Sequence, residues 1–161
     1  MYTYKTALPQ DIATIVSLAD RTWKQTYRGV ISDEQIEYMY GQMYTPEALL
    51  GQQQNGHTFI IALENDEPMG FASFSTTEPS VYKIHKLYVL PETQGKGCGR
   101  YLVDVVAEEV KKLNATILEL NVNRFNKAKH FYDKIGFIIY KEVDIPYGDF
   151  VLNDYVMRRE L

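Results

Sequence analysis

The chain has 161 residues, 45% of them hydrophobic and 24% charged, which is ordinary for a folded globular protein with one sizeable core. Its net charge of -4 excludes a nucleic-acid binder that depends on bulk positive charge, and its single cysteine, Cys98, excludes an intramolecular disulfide. No apolar run is long enough to span a bilayer and no basic leader precedes the first apolar residues. We therefore expect a single domain over residues 1–161, located in the cytoplasm, with no membrane or nucleic-acid partner.

The first part of the chain predicts one strand followed by three helices. Residues 1–6 carry alternating tyrosines and predict a short strand. The first helix has its apolar face at Ile12, Ile15, Val16 and Ala19. Ser32, with Gln35 three residues later, is a typical cap for the second helix, and Thr45 followed by Pro46 is typical of the start of the third.

The rest of the chain alternates between strands and helices. The predicted strands are residues 57–63, 69–75, 82–90, 116–122, 137–143 and 150–157. One helix follows a glycine-rich turn, and another covers residues 125–135 and ends at Gly136. A turn at residues 146–148 joins the last two strands. The predicted order is β-α-α-α-β-β-β-α-β-α-β-β.

A glycine-rich turn between a strand and a helix is the most informative stretch. The strand stops at Pro91, and glycines follow at 95, 97 and 99. The helix after them carries an apolar stripe at Leu102, Val105, Val106, Val110 and Leu113. Free backbone N–H groups and the helix dipole favour an anion at such a helix start, and Lys96 and Arg100 add positive charge. The spacing fits neither a P-loop nor a dinucleotide fingerprint, so another phosphate ligand is expected.

Two motifs give the chain a family resemblance. Gln94-x-x-Gly97-x-Gly99, preceded by Val89-Leu-Pro, resembles the pyrophosphate-binding signature of the GCN5-related N-acetyltransferase (GNAT) superfamily. Residues 126–137, Asn-Lys-Ala-Lys-His-Phe-Tyr-Asp-Lys-Ile-Gly-Phe, resemble the second conserved helix of that family. The resemblance implies an α/β three-layer sandwich, the GNAT acyl-CoA N-acyltransferase fold, whose mixed sheet splays apart between the strands at 82–90 and 116–122.

The resemblance also implies an activity and a co-substrate. A GNAT enzyme transfers an acetyl group from acetyl-CoA to a primary amine by direct attack within a ternary complex. Two alternatives stay open: a non-catalytic acyl-CoA-binding or sensor module, and an acetyltransferase acting on protein lysines or N-termini. The residues that the resemblance assigns to acetyl-CoA are Leu87, Tyr88, Val89, Gln94, Gly95, Lys96, Gly97, Cys98, Gly99, Arg100 and Asn126.

Of the two catalytic roles, the general acid matches the family pattern and the base does not. Tyr132 stands where the family places the general acid that faces the departing sulfur, although its position on an apolar stripe also suits a core aromatic. Relatives often place a glutamate base on the central strand, where this chain has Lys83, His85 and Lys86. Among these, His85 has the reference pKa best suited to a base at neutral pH, and a water relay without a dedicated base is the alternative. The histidines lack metal-ligand spacing, so no metal is expected.

For the acceptor, the sequence favours a small cationic amine. Residues 27–44 and 153–157 resemble a subgroup similar to polyamine acetyltransferases. The family places the acceptor between the early helices and the last hairpin, and we predict substrate contacts from Tyr27, Glu34, Tyr38 and Tyr147. Carboxylates in these segments would attract an ammonium group: Asp33, Glu34, Glu37, Asp144 and Asp149. We also expect a homodimer formed through the apolar last strand, if that strand lies at a sheet edge.

Overall fold

A computed structural model describes all 161 residues and shows one mixed sheet of seven strands in the order β1-β2-β3-β4-β5-β7-β6. Only β4 and β5 run parallel to each other, and every other neighbouring pair is antiparallel. The strands are β1 (Tyr2–Thr6), β2 (Thr58–Glu64), β3 (Glu67–Glu78), β4 (Val81–Val89), β5 (Ile117–Asn123), β6 (Ile138–Tyr147) and β7 (Phe150–Glu160).

Six helices cover the two faces of this sheet, and their starts follow from local chemistry. They are α1 (Ile12–Asp20), α2 (Trp23–Tyr27), α3 (Asp33–Met43), α4 (Pro46–Gln54), α5 (Cys98–Lys111) and α6 (Ala128–Lys134). The Ser32 hydroxyl accepts from the backbone N–H of Gln35 at 3.1 Å, which confirms the predicted cap of α3. Thr45 caps α4 in the same way, by accepting from the Ala48 N–H at 3.1 Å. None of the helices is both long and apolar enough to cross a membrane.

The predicted elements differ from the structure at several points. Four helices precede β2 instead of three, because the helical path is interrupted at Arg21 and Thr22, between α1 and α2. Helix α6 starts at Ala128, not at residue 125, since the Asn126 side chain accepts from the Ala128 N–H at 2.9 Å and caps the turn. The last hairpin turns at residues 148–149, because Tyr147 still pairs with Phe150.

Two apolar cores lie on opposite faces of the sheet. One packs α5 and α6 against the sheet and includes Leu102, Val106, Leu118 and Phe137. The other packs α1 to α4 against the opposite face. Trp23 is fully buried there, with ring centroids 4.8 Å from Tyr27, 5.9 Å from Tyr40 and 5.7 Å from Tyr44. The chain is therefore a three-layer sandwich of helices, sheet and helices, as expected.

The final strand is not a sheet edge, so that prediction is wrong. β7 lies between β5 and β6 and pairs with both, through residues 154–160 with β5 and residues 150–158 with β6. The edge beside it is β6, where Ile138 is 70% exposed and Tyr140 is 55% exposed. The reason is topological: the last hairpin folds back so that its second strand, not its first, adds to β5. The argument for a dimer through β7 is lost, and self-association itself stays a prediction.

Strand β4 is distorted and parts from its parallel neighbour. Its pairing with β5 covers only Val81 to Ile84, opposite Ile117 to Leu120. On the other side it stays paired with β3, but Ser73 lies opposite Lys86 and Phe74 opposite Ile84, so His85 is the extra residue of a β-bulge. Beyond this bulge β4 and β5 separate, as the splay of the predicted fold requires.

Gly70 on β3 allows the backbone of β4 to approach closely, because it has no side chain. Its replacement by alanine is expected to destabilise the fold. An added Cβ would lie 2.7 Å from the Tyr88 carbonyl oxygen, so the backbone of β4 would have to move. We expect Gly70→Ala to lower the free energy of unfolding by about 1–3 kcal/mol. Urea denaturation followed by the fluorescence of Trp23 measures this change.

The matched control is Gly51→Ala in α4, where an added Cβ meets nothing within 4 Å. Alanine inside a helix should stabilise by about 0.5–1 kcal/mol. If the two substitutions change stability equally, close packing at Gly70 is not what holds β4.

Candidate active site

A cavity of about 850 Å³ opens where β4 and β5 separate. Its walls come from β4, the loop before α5, the first turn of α5, β5, α6 and the helix α2 on the opposite face of the sheet. The gap between the two strands therefore joins both faces of the sheet in a single cavity. Reactants that approach from opposite faces can meet there.

The glycine-rich loop forms an anion site at one end of this cavity. Gly95 has a φ of +78° and Gly97 a φ of +88°, a backbone conformation that glycine adopts without strain. Tyr101 is the first residue of α5 whose N–H bonds back, to the Gly97 carbonyl at 2.9 Å. The N–H groups of residues 98–100 thus have no acceptor within the helix, and the dipole of the 14-residue α5 favours an anion beside them.

The structure brings nearly all the predicted acetyl-CoA residues together. Every one of them lines the cavity except Lys96, whose side chain is exposed between the two left-handed glycines. Cys98 contributes backbone only, because its thiol is fully buried in the core and burial raises its pKa to about 11. Gly99 lies beside α6, where an added Cβ would make an ordinary contact of 3.4 Å with the Phe131 ring.

The shape of the cavity fits coenzyme A. A pyrophosphate needs several N–H donors, which the start of α5 supplies. The side of β4 that faces β5 has no strand partner at Leu87, Tyr88 and Val89, while the other side stays paired with β3. An extended arm with amide groups can pair with that free strand edge. These residues would hold the pyrophosphate and the pantetheine arm respectively.

A cluster of tyrosines occupies the middle of the cavity. Tyr27, Tyr88 and Tyr132 line its wall, and the hydroxyls of Tyr27 and Tyr88 lie 3.3 Å apart. Burial raises the pKa of Tyr132 above its ordinary value, and proximity to Tyr27 raises it further. Burial raises the pKa of Tyr88 as well. These phenols therefore stay protonated and act as hydrogen-bond donors across the neutral pH range.

His85 lies at the β-bulge and lines the cavity, but its surroundings disfavour the role of base. Its Nε2 lies 2.6 Å from the Ser75 hydroxyl, and its ring stacks on His57 with centroids 4.2 Å apart. Burial lowers the pKa of His85 to about 3, with His57 and nearby lysines contributing. Such an imidazole binds a proton too weakly to take one from an ammonium group near pH 7. The structure thus argues against His85 as the general base.

Lys86 is a buried cation beside this bulge. It is 7% exposed, no carboxylate pairs with it, and its Nζ lies 5.2 Å from the centre of the Tyr44 ring. Burial lowers its pKa to about 8. Lys86 is itself part of the cavity wall, whereas Tyr44 is not, so the Lys86 side chain runs from the cavity toward the core under α1 to α4.

The predicted acceptor residues are only partly brought to the cavity. Tyr27 lines it, whereas Glu34, Tyr38 and Tyr147 do not. Tyr38 packs instead against the last hairpin, with ring centroids 5.9 Å from Tyr147 and 5.6 Å from Phe150. Glu34 is exposed in the first turn of α3, where it complements the helix dipole.

Two of the five predicted carboxylates are engaged elsewhere. Glu37 pairs with Lys24 at 3.1 Å, and Asp144 pairs with Arg124 at 2.6 Å. None of the five lines the cavity, so they do not form an acidic pocket there. The structure also has no group of three or more His, Cys, Asp or Glu side chains placed to hold a metal.

Sequence reasoning missed two polar residues beside the cavity, Asn121 and Asp154. Asn121 lies on β5 between Leu120 and Val122, and the alternation of that strand could have placed it on the face opposite the core of α5. Asp154 on β7 is 9% exposed and receives a hydrogen bond from Asn121 at 3.4 Å. No signal in the sequence showed that β7 lies beside β5.

The fold and the site together have the architecture of an acyltransferase, and comparison with known proteins agrees. The family model described as "Acetyltransferase (GNAT) domain" matches residues 27–144. The chain belongs to the GNAT family, and it is an N-acetyltransferase that uses acetyl-CoA.

Individual relatives bear on the finer assignment. The chain is 28% identical over 149 residues to the spermidine N(1)-acetyltransferase of Thermoplasma acidophilum, covering 89% of this chain and 90% of that protein. The crystal structure of the PaiA N-acetyltransferase of the same organism, in complex with coenzyme A, superposes with a TM-score of 0.84 at 26% identity, covering 100% of this chain and 99% of that one. The ribosomal protein bS18-alanine N-acetyltransferase of Haemophilus influenzae is 35% identical over 85 residues, 52% of this chain and 54% of that protein.

Replacing Gly97 by glutamate is expected to abolish tight binding of acetyl-CoA. An added Cβ at Gly97 meets no protein atom within 4 Å, so the new side chain and its negative charge would oppose the bound anion. We expect calorimetry to show an affinity lower by on the order of a hundredfold, since hydrogen bonds to charged groups are worth about 1.5–3 kcal/mol each.

Gly56→Glu is the matched control, because Gly56 has a φ of +96° and equally open surroundings but lies in a turn away from the cavity. It carries the same backbone strain and should bind acetyl-CoA like the unaltered protein. Equal affinity in folded Gly97→Glu would refute the anion site at the start of α5.

Proposed function

We propose that the protein transfers the acetyl group of acetyl-CoA to a primary amine of a small cationic acceptor, by direct attack within a ternary complex. The observation that carries this proposal is the single cavity that spans both faces of the sheet, with the anion loop on one side and α2 on the other. Acetyl-CoA supplies an activated acetyl thioester when bound. The remaining requirements fall to residues of this chain: an oxyanion donor, a donor to the leaving sulfur and a path for the proton of the amine.

The backbone of β4 beyond the bulge would supply the oxyanion donor. The bulge at His85 turns the strand, and any N–H group of residues 87–89 that points away from β3 has no partner in β5. A donor fixed in this way needs no reorganisation when negative charge develops on the carbonyl oxygen. One such preorganised donor contributes about 3–4 kcal/mol of transition-state stabilisation.

Tyr132 would act on the leaving sulfur. Its hydroxyl group belongs to the buried tyrosine cluster of the cavity, and its raised pKa keeps the proton on the phenol. Complete transfer of that proton to a thiolate is unfavourable, because the thiol has the lower reference pKa. Tyr132 therefore stabilises the developing thiolate chiefly as a hydrogen-bond donor, and in this role it would be a catalytic residue.

Proton removal from the amine would use water instead of a dedicated side-chain base. β4 carries Lys83, His85 and Lys86 where a carboxylate could have stood, and the low pKa of His85 disfavours it. The cavity is large enough for ordered water between the reacting nitrogen and the solvent. The reaction should then speed up with pH as the neutral fraction of the acceptor rises.

A polyamine is the acceptor that the comparisons support best. The relative that matches nearly the whole chain is named for acetylation of spermidine, and the net charge of -4 suits a cationic acceptor. The second candidate is a protein N-terminus, which the bS18-alanine enzyme acetylates according to its name. We also predict a cytoplasmic location for the protein, whichever acceptor it uses.

An acceptor screen tests the proposal. Free CoA is measured after the protein meets acetyl-CoA with spermidine, with an amino-terminated ether of the same length, and with a peptide that begins with alanine. We expect the highest kcat/KM for spermidine and a lower value at high ionic strength, because salt screens the attraction between charges. A preference for the peptide would favour the protein acceptor. Binding of acetyl-CoA without release of CoA from any amine would favour the sensor module.

Replacing Tyr132 by phenylalanine is expected to slow the chemical step. The hydroxyl acts on charge that develops as the sulfur departs, so kcat should fall about ten- to a hundredfold while the KM for acetyl-CoA changes little. Steady-state kinetics at saturating acceptor measures both constants.

Tyr101→Phe provides the control, since Tyr101 packs on Tyr2 outside the cavity wall. Its kinetics should match those of the unaltered enzyme. Unchanged turnover in Tyr132→Phe, with chemistry shown to limit the rate, would return Tyr132 to a purely structural role.

A further inference from the structure

We propose that Asp154 and Asn121 bind a second, non-reacting ammonium group of the acceptor, so that the enzyme selects diamines and polyamines over monoamines. This inference rests on the proposed function and adds to it a recognition site that the sequence did not indicate. The two residues face each other from β7 and β5, beside the cavity in which the amine would react.

The carboxylate of Asp154 is buried and lacks a cationic partner. The residue is 9% exposed, and the donor at its side chain is the Asn121 amide, at the long distance of 3.4 Å. Arg124 lies close by but is engaged by Asp144 at 2.6 Å and by the Asp154 carbonyl at 3.2 Å. A buried carboxylate in this state is costly to the fold unless something else compensates it.

Asn121 offers a second acceptor at the same point. Its Nδ2 donates to Asp154, whereas its Oδ1 is buried and has no hydrogen-bond partner in the protein. The pair thus combines a carboxylate oxygen and an amide oxygen, both acceptors, at the buried side of the cavity wall. An ammonium group has three N–H donors and a positive charge, and it complements the pair in both respects.

The pair is coupled to the reaction centre. Asn121 lines the same cavity as Tyr27 and Tyr132. Asp154 does not itself line the cavity, but its hydrogen bond to Asn121 places it directly behind that wall. Its charge also contributes to the raised pKa of Tyr27, behind the larger effect of burial. An extended acceptor in the cavity would therefore meet Asn121 on the wall and Asp154 behind it.

The ammonium bound there is not the one that reacts. A nitrogen attacks the thioester through its lone pair, so the reacting amine must first lose a proton. A buried carboxylate favours the charged form of any amine beside it and would oppose that loss. It suits a nitrogen that stays charged throughout, which only an acceptor with at least two amino groups possesses.

The charges around Asp154 do not fully compensate its carboxylate. Burial raises the pKa of Asp154, while the Asn121 hydrogen bond and the charges of Lys83 and Arg124 lower it. The net direction is upward, so the groups already present do not fully replace the lost hydration. An ammonium group at hydrogen-bond distance would supply the missing stabilisation of the Asp154 carboxylate.

The test compares two amines in Asp154→Asn, which removes the charge and keeps the shape. The amines are spermidine and an amino-terminated ether of the same length, which has one amino group. For spermidine we expect KM to rise about ten- to a hundredfold, the range expected when a hydrogen bond between charged groups is lost. The KM for the ether and the affinity for acetyl-CoA should stay unchanged.

Asp66→Asn is the matched control, because Asp66 is an exposed carboxylate in the turn between β2 and β3 and does not line the cavity. It should leave both amines unaffected. Asn121→Leu, which removes Oδ1 and keeps the carboxylate, is a second variant and should raise the KM for spermidine alone. If Asp154→Asn unfolds, the effect of Asn121→Leu on the KM for spermidine tests the inference instead.

An equal loss for both amines in folded variants, or no loss for either, would overturn the inference. Release of CoA that does not depend on Asp154 would leave the proposed function standing. No release from either amine with the unaltered protein would overturn the proposed function, and this inference with it.

Discussion

The separation of β4 from β5 is the constraint on which the rest of the structure depends. Parallel pairing ends at Ile84 and Leu120, while β4 remains bound to β3 through a bulge at His85. Unpaired strand edges are costly when they are buried, so the open edge implies a ligand or solvent as its partner. The gap supplies the N–H and carbonyl groups for an extended arm, and it joins the two faces of the sheet in one cavity. Gly70 makes it possible for β3 to hold β4 in this position.

Several buried polar groups gather on the α2 side of this gap. Lys86 has no carboxylate, Asp154 has no cation, Asn121 leaves its Oδ1 without a partner, and the Ser73 hydroxyl lacks a hydrogen bond. Each of these groups costs stability, and in a region that served packing alone we would expect apolar residues. Their concentration on this side of the sheet is the feature on which the proposed recognition of the acceptor rests. The opposite core, between the sheet and α5, is apolar by comparison.

The two ends of the site differ in how much of them the sequence could predict. The anion loop is local: Gln94, Gly97 and Gly99 are close in the chain, and the strand before them and the helix after them follow from short-range patterns. Its predicted residues, Lys96 apart, do line the cavity. The acceptor end depends on contacts between distant segments, and there Glu34, Tyr38 and Tyr147 proved to lie outside the cavity wall. Asp154, the carboxylate that lies beside the cavity, comes from β7. The sequence did not predict which strands flank β7.

The sequence by itself determined the family, the order of most elements, the caps of α3 and α4, and the glycine that follows α6, because these depend on residues a few positions apart. Tertiary structure alone decided that β7 enters the sheet between β5 and β6, that α1 and α2 are separate helices, and that His85 sits in a bulge with a pKa of about 3. Strand order and burial arise from pairings across the whole chain, and no local pattern encodes them. The same holds for the environment of each ionisable group, since its pKa is fixed by neighbours that only the folded chain brings together.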